Sequence, residues 1–161
     1  MAKYLTKIDQ RHNSKKTKYW LITMPKLPKT KKGPTTHIIP VEEKRQLLDR
    51  INKTEDIEEI IEISKSLDPE VRIKAAQQLC PCRVQDDLEI FWDRLFEMVD
   101  DEDEKVRYQI LHNICDGSPA QYEWKVKEAL DKFNHDSNKD IRRAVHKVIG
   151  VYMKTGEWNI M

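Results

Sequence analysis

The chain has 161 residues, 35% of them charged, with four glycines and three cysteines, which leaves room for one domain and suits a mostly helical fold. The odd cysteine count argues against a disulfide framework, and no apolar run is long enough to span a bilayer, so a soluble, cytoplasmic chain with no membrane partner is expected. The net charge of +1 hides an asymmetry: residues 1–40 carry ten Lys or Arg against one acid, net +9, while residues 41–161 carry nineteen against twenty-seven, net −8. Such an imbalance points to a charged partner for one of the two segments.

Residues 1–40 lack helical periodicity and hold three prolines before Pro40, so they read as an extended or disordered basic arm. Its contact candidates are Lys15, Lys16, Lys18, Tyr19, Trp20, Lys31 and Lys32. The run Tyr19–Met24 is a candidate strand that pairs with 35–39 or docks on a partner.

Residues 41–161 read as helices. Pro40 opens the first, which runs to about Asn52 with Leu47, Leu48 and Ile51 on one side. Thr54 is the expected N-cap of a helix over 55–66, with Glu55 and Asp56 in its first turn. Asp68 followed by Pro69 starts the next, which must stop near Cys80 because Pro81 disfavours helical geometry in the residue before it. A helix from about Asp86 carries the stripe Leu88, Phe91, Trp92, Leu95, Phe96 and Val99, and its partner spans about 103–115. After Gly117, Ser118 and Gln121 match a capping box for a helix over 119–134, and a last helix runs from Lys139 to about Lys154.

Three of these starts are copies of one another. Asp68-Pro69-Glu70-Val71-Arg72 returns after 35 residues as Asp103-Glu104-Lys105-Val106-Arg107 and after 35 more as Asn138-Lys139-Asp140-Ile141-Arg142. The same shift aligns Leu79 with Ile114 and Ile149, and Ile60 with Leu95 and Leu130. A fixed period of this size is the mark of stacked units, each unable to bury its apolar stripe alone. The expected fold is therefore all-α: about three helical hairpins over 54–154, a capping helix before them and the arm of residues 1–40 outside the domain of residues 41–161.

With two helices per unit and Asp-x-x-Val-Arg opening the second, the stretch 54–154 resembles the HEAT-repeat family. The tetratricopeptide and ankyrin patterns are absent. The resemblance implies a right-handed α-solenoid in which the second helices line the inner surface and the repeated Asp68, Arg72, Asp103, Arg107, Asn138 and Arg142 serve the repeat itself. Arg72, Arg107 and Arg142 would then pair with acids four residues before them or in the adjacent unit, in preference to gripping phosphates.

Positions that vary between units are better binding candidates. If 71, 75, 79 and their equivalents face the core, then Ile73, Tyr108 and Arg143, Lys74, Gln109 and Ala144, and Gln77, His112 and Lys147 face away. Lys74, Gln77, Tyr108, His112, Arg143 and Lys147 are the partner-binding candidates. Of the tryptophans, Trp92 is assigned to the core, Trp124 to packing between units, and Trp158 to covering the end of the array.

Cys80, Cys82, His112 and Cys115 offer a metal-ligand set, but Cys80, Cys115 and Gly150 fall in register, which favours a requirement for small side chains over metal. No phosphate loop, nucleophile elbow or His-Glu-x-x-His pattern occurs, so no enzyme and no cofactor is expected. The function expected is a scaffold for another protein. The alternative is RNA or DNA binding through the arm with Arg143 and Lys147.

Overall fold

A computed structural model describes residues 38–84 and 88–156. Within them the chain is all-helical: α1 is Val41–Lys53, α2 Ile57–Ile63, α3 Pro69–Gln78, α4 Glu89–Glu97, α5 Glu104–Cys115, α6 Glu123–Asn134 and α7 Lys139–Thr155. Short 3-10 turns, Met98–Asp100 and Ala120–Tyr122, follow α4 and precede α6. The arm contacts proposed at 15–32, the candidate strand Tyr19–Met24, the helix start near Asp86 and Trp158 all lie outside the described residues, and of the segment 35–39 offered as its partner the two described residues, Ile38 and Ile39, form a bend.

Local chemistry sets the helix starts. Asp68, Asp103 and Asn138 are N-caps whose side chains accept from the amides of Glu70, Lys105 and Asp140 at 2.8, 2.8 and 2.7 Å. Three residues on, Val71, Val106 and Ile141 are each fully buried, roughly 1.5–3 kcal/mol of apolar burial apiece. Gly156 closes α7 with φ +70°, a left-handed geometry that a Cβ disfavours.

Two expected caps are displaced. Thr54 is the C-cap of α1, in an extended conformation, and its Oγ1 accepts from the Asp56 amide at 3.1 Å. Asp56 then caps α2 through the amides of Glu58 and Glu59, so the helix begins two residues later than Thr54 would place it and ends at Ile63, short of Ser66. The expected Ser118 capping box does not form either. Pro119 is extended (ψ 149°), the chain enters through the 3-10 turn, and the Ser118 hydroxyl is buried without a hydrogen bond.

The helices pack in a regular order. α1 covers α2 and α3, α3 packs on α5, and α5 packs on α7. On the other side α2 packs on α4, and the turn Met98–Asp100 packs on α6. Between the two sides α2 meets α3, α4 meets α5 and α6 meets α7, which encloses one core built on Phe91, Leu95, Ile110, Leu111, Ile114 and Phe133. Trp92 is buried within it, edge-on to Phe91 at 5.1 Å and 5.5 Å from the Tyr122 ring. Leu88, assigned to the same stripe, is instead exposed at the N-cap of α4. α5 has neighbours on both flanks and buries a broad face. Among the described residues α7 is flanked within this row by α5 alone, and Ile149 is exposed although its equivalents Leu79 and Ile114 are fully buried.

No helix among the described residues is long and apolar enough to cross a membrane.

Candidate functional site

The repeated arginines bridge neighbouring helix pairs. Arg72 opens α3 and extends Nε and Nη2 to Asp101 at 2.8 and 2.9 Å, while its Nη1 caps the carbonyls of Ser66 and Leu67. Arg107 does the same one period later, with Nε and Nη2 at 2.7 and 2.9 Å from Asp136 and Nη1 on the carbonyls of Asp101 and Glu102. Arg142 keeps the local half of the arrangement, Nη1 on the carbonyls of Asp136 and Ser137. Arg72 and Arg107 thus tie the loop before their own helix to the loop of the next pair, while Arg142 holds only its own loop. Asp101 and Asp136 in turn accept the amides of Asp103 and Asn138, which links the bridges to the N-caps.

Further rungs run between the outer helices. Lys125 reaches Asp93 at 2.8 Å, and Lys132 reaches Asp100 at 2.6 Å. The Lys125 ammonium also lies 5.5–5.7 Å from the ring centres of Phe96, Tyr122 and Trp124. Trp124 is 62% exposed, so it does not pack between units; its ring lines a surface depression of about 170 Å³ with Phe96, Val99 and Lys132.

The six partner-binding candidates separate. Gln77 and Lys147 are exposed, and Arg143 is exposed with one nitrogen 3.1 Å from Asp140 of its own helix. Lys74 is half-buried, and Tyr108 packs against the core, where burial raises its phenol pKa. His112 leaves the surface set. Its side chain is 16% exposed, and burial lowers its pKa to about 4, which keeps the ring neutral. Of the residues grouped with them, Ala144 is buried and Gln109 donates to Asn113.

His112 turns toward the cysteines at one end of the second helices. Its Nε2 is 3.6 Å from Cys80 Sγ and 4.0 Å from Asp116 Oδ2, and the Cys80 sulfur is 3.5 Å from the same Asp116 oxygen. Cys82 Sγ lies 2.6 Å from Cys80 Sγ, closer than two unbonded sulfurs rest, and this contact together with burial pushes the Cys80 thiol up and leaves the exposed Cys82 as the more acidic of the two. Cys115, a member of the sequence-derived ligand set, does not join them. Its thiol is in the core, and burial raises its pKa. Asp116 takes its place, and burial raises that carboxyl too.

No family model, curated protein or solved structure matches the chain.

Proposed function

We propose that residues 54–154 form a HEAT-like, right-handed α-solenoid of three helical hairpins, capped by α1, and that it works as a non-catalytic scaffold for another protein. The observation that carries this reading is the row α3, α5 and α7, joined by arginine bridges at a constant 35-residue offset. Residues used identically in each unit serve the stack. Gln77, Arg143 and Lys147 differ from unit to unit and remain in water, which supports a role in recognition. Partner contact across the faces of these helices would be additive, with Tyr108 and Lys74 at its edge and the basic arm as a second element.

Affinity capture on the full-length chain, on a chain lacking residues 1–40, and on a Gln77, Arg143 and Lys147 triple variant tests it, each with and without nuclease. A partner retained after nuclease and lost with the triple variant supports the scaffold. The net charge of +9 on residues 1–40 favours a second reading, binding of RNA or DNA by the arm with Arg143 and Lys147. Under that reading binding disappears with nuclease, falls steeply with salt, and is lost when residues 1–40 are removed.

A further inference from the structure

The cluster at the ends of α3 and α5 is built from four groups of three chemical types. Cys80 and Cys82 flank Pro81 in a turn closed by the amides of Arg83 and Val84, which donate to the Cys80 carbonyl at 2.8 and 3.0 Å. That turn sets both sulfurs on one side of the loop. His112 and Asp116 are four residues apart, so the last turn of α5 presents imidazole and carboxylate together. α3 packs on α5, and this brings the two pairs into register. The Cys80, Cys82 and Asp116 ligand atoms all lie within 4.8 Å of one another, and His112 Nε2 approaches two of the three.

We propose that Cys80, Cys82, His112 and Asp116 form a binding site for a Zn²⁺-like divalent cation that clamps the end of α3 to the end of α5.

The spacing supports tetrahedral coordination. Metal bonds of about 2.3 Å to sulfur and about 2.0–2.2 Å to nitrogen and oxygen imply ligand-to-ligand edges of about 3.4–3.8 Å. The Cys80–His112 and Cys80–Asp116 separations, 3.6 and 3.5 Å, already fall in that range, and His112–Asp116 at 4.0 Å is close to it. The Cys80–Cys82 separation of 2.6 Å must open by about 1 Å. Cys82 must also come about 1 Å or more closer to His112, which lies outside the 4.8 Å set that Cys80, Cys82 and Asp116 form; Cys82 is the exposed member, on a turn, so its side chain is the one to rotate away from Cys80 and toward the imidazole. Two thiolates, one neutral imidazole and one carboxylate are a borderline-soft set with a single oxygen. Zinc fits it better than the oxygen-seeking Mg²⁺ or Ca²⁺, and Co²⁺ substitutes for zinc as a spectroscopic probe.

The packing separates this assignment from the one that composition alone offers. Cys115 lies in the core, where a free thiol packs as a small hydrophobe without a ligand; the register with Gly150 sets no size limit, because Gly150 is exposed and a side chain there would meet nothing within 4 Å. Cys82 has no such explanation: it is exposed, follows a proline, and still turns back onto Cys80.

The test is a Co²⁺ titration of the reduced full-length chain, with the bound metal counted by native mass spectrometry and Zn²⁺ added as competitor. The expected result is one equivalent of Co²⁺ with thiolate charge-transfer absorption and d–d bands of tetrahedral strength, both removed by Zn²⁺. Cys82→Ser, at an exposed position that leaves the helices intact by circular dichroism, abolishes the spectrum, as does His112→Gln. Cys115→Ala retains it. Absence of saturable binding by the wild-type chain, a weak octahedral spectrum, or a spectrum that survives Cys82→Ser overturns the proposal. So does isolation of the native chain with Cys80 and Cys82 joined as a disulfide that excludes metal until it is reduced. None of these outcomes bears on the scaffold reading, which is read from partner capture.

Discussion

The Arg107 guanidinium forks onto the Asp136 carboxylate from a distance of 29 residues, with Nε at 2.7 Å from one oxygen and Nη2 at 2.9 Å from the other. Both side chains are largely buried, and the geometry is bidentate, so this pair is worth more than a surface salt bridge. Asp136→Ala leaves a cation without its partner and is expected to cost about 3 kcal/mol. Arg107→Ala should cost a similar amount, and the double variant much less than the sum. Urea denaturation of the four proteins gives the coupling energy, which this geometry places near 2 kcal/mol. Arg142→Ala, which breaks bonds to carbonyls only, should show no coupling to any acid.

Stability should fall in acid for a stated reason. Burial pushes the Asp68 and Asp136 carboxyls up. Lys44 with the Glu70 amide on Asp68, and Arg107 with the Asn138 amide on Asp136, outweigh burial and hold both below the ordinary 3.8. A carboxyl that is more acidic when folded binds fewer protons in the native state than in the unfolded one. Its contribution is therefore complete above its ordinary pKa and disappears as pH falls through the depressed folded value. Unfolding free energy measured between pH 6 and 2 should decline on that limb, and Asp136→Asn should flatten the decline while lowering the plateau.

Asn113 is fully buried between α5 and α3, and its Nδ2 donates to the carbonyls of Ala76 and Leu79 at 2.7 and 2.9 Å. Those carbonyls end α3 and have no later turn to accept from. Asn113→Leu removes both donors and should cost about 2–4 kcal/mol, visible as a lower urea midpoint. Hydrogen exchange should speed up at the last turn of α3 before it does at its first.

Trp92 and Trp124 should behave oppositely. Trp92 is buried against Phe91 and Tyr122, and Trp92→Ala is expected to cost about 3–5 kcal/mol. Trp124 is exposed, and Trp124→Ala should change stability by less than about 1 kcal/mol, the loss coming mainly from the Lys125 contact. Iodide should quench the Trp124 share of the fluorescence and spare that of Trp92.

The second helices were the legible part of the chain, because Asp68, Asp103 and Asn138 each pair a capping side chain with an apolar residue three positions later. Thr54 is harder: Asp56 two residues on is as good a cap, both residues are extended, and the difference lies in the Glu58 and Glu59 amides, which donate to Asp56. Analogy with Gln77 and Lys147 points His112 outward. The middle helix, flanked on both sides, turns it inward. Asp116 does not stand out as a ligand in the sequence because an acid after a helix looks like punctuation. The signal lay in its four-residue spacing from His112 together with the one-period offset that brings Cys80 alongside. The exposure of Trp124 was not legible at all, since a tryptophan on an amphipathic helix carries the same pattern at the rim of a core as within it.

Affinity capture by the full-length chain and by the Gln77, Arg143 and Lys147 triple variant, both treated with nuclease, tests the scaffold most directly. All three side chains are exposed, so the variant should keep its helicity and unfold within about 1 kcal/mol of the wild type. The account predicts a protein partner that withstands nuclease on the wild-type chain and is lost from the folded variant. Retention of the same partner by the variant, or its release from the wild type by nuclease alone, would contradict it.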